Sequence, residues 1–307
     1  MERARIVSKD LPHITVCICT YKRPELLRRT LEGVSMQKTE SLFTCSIVVA
    51  DNDKEGTARA ATEEVSSRSP IAVRYCNESR QNIARARNKA VENASGDFVA
   101  FIDDDEFPIG EWLLTLFKTI EKFNVAGVLA PVNPYFESDA PSWVVKGGFY
   151  DRPVHPTGMT LQWRNCRTGN VLLKRELFEG VDEPFNPECL SGEDQDFFRR
   201  KIGEGNTFVW CHEAPVFEVV PAVRWKRTFL VRRALFRGVF AQRNHGIQPL
   251  RVLQALISVP VFALALPFSL ALGQAKFMLC AFKLFYHAGR LCALCGINPI
   301  HGPYVYD

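Results

Sequence analysis

Four consecutive acidic residues follow an apolar segment in the first half of the chain. Phe-Val-Ala-Phe-Ile at residues 98–102 is followed by four carboxylates, Asp103, Asp104, Asp105 and Glu106. Adjacent carboxylates repel one another and disfavour β-structure, so we expect a buried strand to end here and to hold a cation. Carboxylate oxygens suit Mg²⁺ or Mn²⁺, and these ions bind nucleotide phosphates. The alternative is an acidic helix start, because residues 112–123 have a helical pattern.

The elements that must position these acids alternate between strands and helices. We predict strands at 14–19, 47–50, 72–76 and 97–102, and helices at 24–33, 57–66 and 83–94. This alternation is typical of βαβ units and predicts a parallel sheet whose strand carboxyl ends share one edge. Thr20, Tyr21, Asp51 and the acids at 103–106 would lie along that edge, where open α/β sheets bind ligands.

Composition narrows the class of protein. The 307 residues are 47% hydrophobic and 23% charged, which predicts a globular chain with one large domain and an appendage, and excludes a disordered or fibrous protein. Residues 1–10 are charged and lack an apolar segment, so we expect no export. The ten cysteines are dispersed, which predicts reduced thiols. Cys292 and Cys295 are two ligands short of a zinc site.

Basic residues are concentrated in the last third of the chain. Residues 219–306 contain eleven Lys and Arg residues and no Asp or Glu, which indicates an anionic partner, either nucleic acid or a membrane surface. Residues 252–275 carry no charge and are long enough to span a bilayer. A basic segment just before such an apolar run is attracted to an anionic membrane surface. The sequence therefore favours membrane attachment over nucleic acid.

The mode of that attachment stays open. Pro260 and Pro267 permit a kinked, re-entrant or interfacial helix as well as a crossing one. A second apolar stretch, 277–297, places Lys283, His287 and Arg290 on one helix face, as an interfacial helix would. The alternative is a buried helical pair inside a larger core.

Five segments, in order, resemble the motifs of glycosyltransferase family 2. They are Ile-Cys-Thr-Tyr-Lys-Arg-Pro-Glu-Leu-Leu at 18–27, Val-Val-Ala-Asp-Asn at 48–52, Ile-Ala-Arg-Ala-Arg-Asn-Lys-Ala at 83–90, Phe-Ile-Asp-Asp-Asp-Glu at 101–106 and Gly-Glu-Asp-Gln-Asp-Phe at 192–197. The similarity is greatest to bacterial exopolysaccharide glucosyltransferases of the succinoglycan type. It implies a GT-A fold, which is an α/β fold with a Rossmann-like, mostly parallel central sheet flanked by helices. We expect this domain over residues 1–240 and an apolar helical, membrane-associated region over 241–307.

The resemblance also implies roles for individual residues. The nucleotide sugar would be bound by Thr20, Tyr21, Asp51, Arg87, Asp103 and Asp104, with the first three at the nucleobase and ribose and Arg87 at the diphosphate. Asp103 and Asp105 form the Asp-x-Asp pair that binds a divalent metal, Mn²⁺ or Mg²⁺, and Asp105 is expected to be the direct ligand. Relatives often carry His near the position of Glu218, so Glu218 and His212 are weak candidates for a third ligand.

The catalytic pair implied by the resemblance is Asp194 and Glu193. An attacking sugar hydroxyl has a high pKa and needs a base within hydrogen-bond reach. Asp194 corresponds to the base of the family, and Glu193 is its rival because the two residues are adjacent. An acidic helix start is a second interpretation of this segment, and it is compatible with the first because a helix N-terminus fixes a carboxylate.

Together these features predict an inverting, metal-dependent hexosyltransferase. Its donor would be a nucleotide sugar, with a UDP-sugar expected, and its acceptor a saccharide or a polyprenyl-linked glycan of surface polysaccharide synthesis. We expect it at the cytoplasmic face of the inner membrane, with no nucleic acid partner. The alternatives are a non-catalytic nucleotide-sugar-binding membrane protein and a sugar nucleotidyltransferase. The latter usually needs a Gly-rich phosphate loop, which Thr-Tyr-Lys-Arg-Pro at 20–24 does not provide.

Overall fold

The computed structural model describes residues 11–137, 139–189, 192–245, 248–297 and 299. Residues 1–10, on which the expectation of no export depends, lie outside this part. The chain divides into two compact units, the first made by residues up to 133 together with 152–218 and the second by 134–151 together with the residues from 219 onwards. The boundary at residue 240 between a catalytic domain and a membrane-associated region stays a prediction.

Ten strands and nine α-helices form in the described ranges. The strands are β1 His13–Thr20, β2 Thr44–Asp51, β3 Val73–Asn77, β4 Phe98–Ile102, β5 Glu106–Pro108, β6 Gly127–Leu129, β7 Val132–Tyr135, β8 Asn170–Lys174, β9 Phe208–Trp210 and β10 Val216–Val219. The helices are α1 Pro24–Ser35, α2 Arg59–Arg68, α3 Ile83–Asn93, α4 Trp112–Phe123, α5 Ser142–Gly147, α6 Glu193–Gly203, α7 Arg227–His245, α8 Pro249–Ala271 and α9 Gln274–Leu294. Three short 3₁₀ turns span Trp163–Asn165, Arg175–Phe178 and Ala222–Trp225.

The main sheet has seven strands in the order β3-β2-β1-β4-β8-β6-β9. The first four strands in this order are mutually parallel. β8 runs antiparallel to both β4 and β6, and β6 is parallel to β9. Apolar clusters cover both faces of the sheet, and for that reason the central strands are apolar throughout rather than alternating. The predicted mostly parallel α/β sheet is confirmed.

The helices of this unit begin where local chemistry favours a start. Pro24 occupies the first turn of α1. The side chain of Asn82 accepts a hydrogen bond of 3.1 Å from the backbone N–H of Arg85 and so caps α3. α4 begins at Trp112, after the short strand β5 that starts at Glu106. The acids at 103–106 therefore follow the end of a buried strand, and the alternative of an acidic helix start is excluded for them.

The second unit is built from α5, α7, α8 and α9. Its core consists of Val144, Phe149, Tyr150, Val220, Leu230 and Met278. A Cβ atom on Gly238 of α7 would lie 2.0 Å from the carbonyl oxygen of Tyr286 in α9, and one on Gly289 of α9 would lie 2.3 Å from that of Leu235. The two helix backbones are in direct contact there, which only glycine permits.

Two helices of this unit are long and apolar enough to cross a membrane, α8 with a mean hydropathy of 1.9 and α9 with 1.3. Pro260 and Pro267 lie inside α8 without ending it. α8 exposes a row of large apolar side chains: Leu250, Leu253, Leu256, Ile257, Val261, Leu264, Phe268 and Leu270. α9 contributes Met278 to the core of the unit. These features suggest membrane association, and α8 has the more exposed apolar surface.

Candidate functional site

The predicted site residues of the first, second and fourth motifs lie on one edge of the main sheet. Thr20 and Asp51 end β1 and β2 and stand directly opposite one another in the parallel pairing. β4 is parallel to β1 and ends at Ile102, so the acids that begin at Asp103 emerge at the same edge. The sheet topology therefore brings together residues far apart in sequence, as expected from the order of strands and helices.

Asp104 is held by the first loop of the chain. The Thr20 hydroxyl donates a hydrogen bond of 2.7 Å to Oδ2 of Asp104. Nη1 of Arg23 lies 3.4 Å from Oδ1 of the same residue and 3.3 Å from Oδ2 of Asp105. Burial raises the pKa of Asp104, and Arg23 and Thr20 oppose the rise. Both carboxylate oxygens of Asp104 thus have protein partners, which favours an anchoring role.

Asp103 and Glu106 form a second pair of carboxylates beside Gly169. Oε2 of Glu106 accepts a hydrogen bond of 3.2 Å from the backbone N–H of Asp103. Its Oε1 atom is buried and has no hydrogen-bond partner among the described residues. A Cβ atom at Gly169 would lie 2.9 Å from that oxygen and 3.2 Å from Oδ2 of Asp103. Burial raises the pKa of Glu106 well above its usual range, and Asp103 raises it further.

These carboxylates have the chemistry of a divalent cation site. Among the described residues no group of three His, Cys, Asp or Glu side chains forms a preassembled metal cage. Mg²⁺ sites that act on nucleotides commonly use one or two carboxylates together with substrate phosphates, so a full cage is not required. The buried, unpartnered Glu106 oxygen beside Asp103, and the nearby Asp105, fit such an ion. Direct ligation by Asp105 and Asp103 stays a prediction.

The two weak candidates for a third ligand lie in different surroundings. Glu218 of β10 stands opposite Glu106 of β5 in the antiparallel pairing and forms an ion pair with Arg152. It therefore belongs to the same group of carboxylates. His212 is exposed in the turn after β9, where its backbone N–H donates to the hydroxyl of Thr157 at 2.9 Å.

Asp51 shapes the loop that follows β2. Its Oδ1 atom accepts a hydrogen bond from Asp53 N–H at 3.0 Å, and its Oδ2 atom accepts from Ala58 N–H at 2.9 Å and from the Tyr75 hydroxyl at 3.0 Å. Burial and this bond raise the pKa of Tyr75 to about 12. The Lys22 amino group lies 5.3 Å from the ring centre of half-buried Tyr21. Nucleoside contacts by Asp51 and Tyr21 stay predictions.

Arg87 of α3 connects the acids after β4 to the acids of α6. Its guanidinium forms a buried ion pair with Glu193, the first residue of α6. Burial alone would lower the pKa of Arg87, but Glu193, Asp194 and Asp103 together raise it. Arg87, which is predicted to bind the diphosphate, therefore lies within electrostatic range of both groups of carboxylates, Asp103 and the α6 pair.

Asp194 has a different environment from its neighbour. It makes no ion pair among the described residues, and Oδ1 accepts a hydrogen bond of 2.7 Å from Gln195 N–H. Burial raises the pKa of Asp194; Glu193 raises it further, while Arg87 lowers it. A raised pKa brings a carboxylate closer to the range in which it works as a general base. Asp194 as the base, with Glu193 as its rival, stays a prediction.

α3 also holds the segment that leads into α6. Asn88 donates a hydrogen bond of 2.8 Å to the Phe185 carbonyl and accepts one of 2.9 Å from its N–H. The Asn82 side chain donates to the Pro187 carbonyl at 3.0 Å. The Phe185 ring stacks on Phe197 of α6, with ring centres 4.8 Å apart. The sequence assigns no role to these asparagines; Asn88 lies within the third motif and Asn82 immediately before it.

Comparisons with known proteins identify the family and the fold. A family model described as glycosyl transferase family 2 matches residues 15–181. The chain is 32% identical to the succinoglycan biosynthesis protein ExoM of Rhizobium meliloti (strain 1021) over 299 residues, which cover 94% of each chain. The mannosyltransferase PcManGT from Pyrobaculum calidifontis, solved with GDP-Man and Mn²⁺, aligns with a TM-score of 0.62 at 19% identity over 93% of this chain and 88% of its own.

A second solved structure gives the same result for the fold. S. aureus TarS 1-349 in complex with UDP aligns with a TM-score of 0.53 at 15% identity, covering 96% of this chain and 94% of its own. At these identities the two structures establish the fold alone. The predicted GT-A fold is confirmed, and it brings the ends of β1, β2 and β4 to one edge of the sheet.

Proposed function

The chain belongs to glycosyltransferase family 2, and from this membership we propose that it transfers a hexose from a nucleotide sugar to a glycan acceptor with inversion at the anomeric carbon. The observation that carries the proposal is the position of Arg87. Its guanidinium forms a buried ion pair with Glu193 and lies within electrostatic range of Asp194 and Asp103, which supports a single site for the residues proposed to bind the donor and to act on the acceptor.

A UDP-sugar is the proposed donor. TarS 1-349 was solved with UDP, which supports this choice, whereas PcManGT was solved with GDP-Man, which makes a GDP-sugar the competing donor. The Mn²⁺ in the latter complex supports a divalent cation for this chain also. Asp105 and Asp103 would hold the cation, which supplies positive charge against the diphosphate as the glycosidic bond breaks.

Arg87 would stabilise the same leaving group from the protein side. Negative charge on the diphosphate grows as the bond to the sugar breaks, so a guanidinium fixed nearby stabilises the transition state more than the ground state. Glu193 holds this guanidinium by a buried ion pair, which preorganises it. Arg87 stays charged throughout because the surrounding carboxylates raise its pKa.

Asp194 would take the proton of the attacking hydroxyl. The acceptor oxygen forms a bond to the anomeric carbon while its proton moves to the Asp194 carboxylate, and the bond from the sugar to the diphosphate breaks on the opposite face. This in-line displacement gives inversion. The raised pKa of Asp194 improves its match to a hydroxyl proton, since the efficiency of a general base increases with its pKa.

The acceptor is proposed to be a saccharide or a polyprenyl-linked glycan in surface polysaccharide synthesis at the cytoplasmic face of the membrane. Similarity to the succinoglycan biosynthesis protein ExoM over nearly the whole chain supports an exopolysaccharide product. The apolar helices α8 and α9 support a site at a membrane surface, where a lipid-linked acceptor would be presented.

The proposal is tested with the full-length protein in detergent. A panel of UDP- and GDP-sugars is incubated with Mn²⁺, with Mg²⁺ or with chelator, and release of the nucleoside diphosphate is measured. We expect one donor to be consumed, only with metal, and much more slowly by Asp194→Asn. Binding of a donor without release would instead support the non-catalytic alternative, and release of pyrophosphate from a sugar phosphate and a nucleoside triphosphate would support the nucleotidyltransferase.

A further inference from the structure

Arg23 places a positive charge against the two acids that follow Asp103. Its Nη1 atom lies 3.4 Å from Oδ1 of Asp104 and 3.3 Å from Oδ2 of Asp105. The side chain of Arg23 is 25% exposed, whereas those of Asp104 and Asp105 are 7% and 9% exposed. A guanidinium thus lies beside the carboxylate that is predicted to bind the metal directly.

The backbone at Arg23 is fixed by its neighbours. Lys22 adopts a left-handed conformation with φ of 55°, and Pro24 begins α1. The Arg23 carbonyl accepts the first helical hydrogen bond, from Leu27 N–H at 3.0 Å. Asp104 is fixed as well, through the Thr20 hydroxyl on its other oxygen. Of the three side chains in this group, that of Arg23 has the most exposure and the most rotatable bonds.

A divalent cation on Asp105 would repel this guanidinium. A cation held by Asp105 would lie close to this guanidinium, because Nη1 of Arg23 is 3.3 Å from Oδ2 of that carboxylate. Like charges at that separation disfavour one another strongly in a partly buried site. The repulsion is relieved when an anion arrives with the metal, and the diphosphate of a nucleotide is such an anion.

We propose that Arg23 couples metal binding to nucleotide binding. In the empty site it is the counter-ion of Asp104 and Asp105 and competes with the metal; when the nucleotide binds, the guanidinium turns to the diphosphate and leaves Asp105 to the metal. Arg23 thus makes the metal bind well only together with the nucleotide. This inference rests on the proposed function, because it requires a nucleoside diphosphate at the site.

The test measures the affinity for Mn²⁺ by calorimetry or by electron paramagnetic resonance, without nucleotide and with saturating UDP or GDP. The ratio of the two affinities is the coupling factor, which is independent of turnover. In Arg23→Gln we expect Mn²⁺ alone to bind more tightly, UDP or GDP to bind more weakly, and the coupling factor to fall by about tenfold, within the usual range of coupling between sites. Arg23→Lys should restore part of the coupling.

Arg28→Gln is the matched control, since Arg28 lies in α1, which begins directly after Arg23, but pairs with Glu25 and Glu64 at the surface. Its coupling factor should equal that of the unchanged protein. If Arg23→Gln lowers the melting temperature but leaves the coupling factor unchanged, or weakens Mn²⁺ binding without nucleotide, the inference is wrong while the proposed function stands. If the unchanged protein binds neither Mn²⁺ nor a nucleoside diphosphate, both are overturned.

Discussion

Arg87 and Glu193 form a buried ion pair across 106 residues of sequence. The pair joins α3 to the first residue of α6, and the Glu193 carboxylate serves in it as the counter-ion of Arg87. The adjacent Asp194 makes no ion pair in the part of the chain that the structure describes. The two neighbouring acids, which the sequence leaves as rivals for one role, therefore have different contacts.

Exchanging each acid for its amide should separate the two roles. Asp194→Asn should lower kcat by about two to four orders of magnitude with donor affinity nearly unchanged, the usual contribution of a positioned general base. Glu193→Gln leaves the buried Arg87 without its counter-ion and should destabilise the fold by about 3–5 kcal/mol. Steady-state kinetics and thermal unfolding of both variants measure this. The reverse ranking of the kcat effects would exchange the two roles.

The pH dependence of kcat/KM should report Asp194. Burial raises its pKa and Glu193 raises it further, so the inactive protonated form persists to higher pH than for an exposed aspartate. Activity should therefore rise with pH through this raised pKa. Because Glu193→Gln removes one of the raising charges, its acidic limb should move to lower pH. Asp196→Asn, which alters an acid paired with Arg199 and Arg200, serves as control and should leave the limb in place.

The features of the fold that depend on local sequence patterns could be predicted from the sequence. Strand ends, helix starts and the shared edge of the sheet follow from apolar runs, caps and the alternation of strands and helices, so Thr20, Asp51 and Asp103 were expected together. The contacts of Arg23 with acids 81 and 82 residues away have no local signal. The same holds for the orientation of β8, whose antiparallel pairing depends on the packing of the whole sheet.

Asp105→Asn should abolish both transfer and metal-dependent nucleotide binding while the fold is retained. The substitution removes one negative charge from a group of mutually repelling carboxylates, so no loss of stability is expected from that source. Sugar transfer, nucleotide binding with and without Mn²⁺, and thermal unfolding are the measurements. Glu111→Gln, at an exposed ion pair with Lys38, is the control. Full activity of Asp105→Asn, or of the unchanged protein in excess chelator, would contradict the metal assignment.

Gly169→Ala should disturb the acids without altering any of them. The added methyl group would lie 2.9 Å from Oε1 of Glu106 and 3.2 Å from Oδ2 of Asp103, so at least one carboxylate must shift. We expect kcat/KM to fall by about tenfold or more, because small displacements of catalytic groups are costly. Gly110→Ala is the control, since nothing lies within 4 Å of its added Cβ. Equal kinetics for the two variants would show that the close contact of Gly169 with the Glu106 and Asp103 carboxylates is unimportant for activity.

Removing the C-terminal helices is a poor test of membrane attachment for this fold. Met278 of α9 packs with Val144 and Leu230 in the core of the second unit, and Gly289 of α9 contacts the backbone of α7. Truncation after about residue 248 would therefore expose that core as well as remove α8. Changes to the exposed side chains of α8 leave the core intact and are the sharper experiment.

Replacing Leu256, Leu264 and Phe268 of α8 together by Gln should release the protein from membranes. These side chains are 54%, 72% and 76% exposed, so the change removes apolar contact with a bilayer and leaves internal packing unaltered. The unchanged protein should sediment with anionic vesicles even at high salt, because apolar insertion is not screened, whereas the triple variant should bind only at low salt through its basic residues. Met36→Gln, at a side chain 73% exposed on the first unit, should sediment like the unchanged protein. If the unchanged protein stays monodisperse in the supernatant without detergent, α8 covers something other than a membrane.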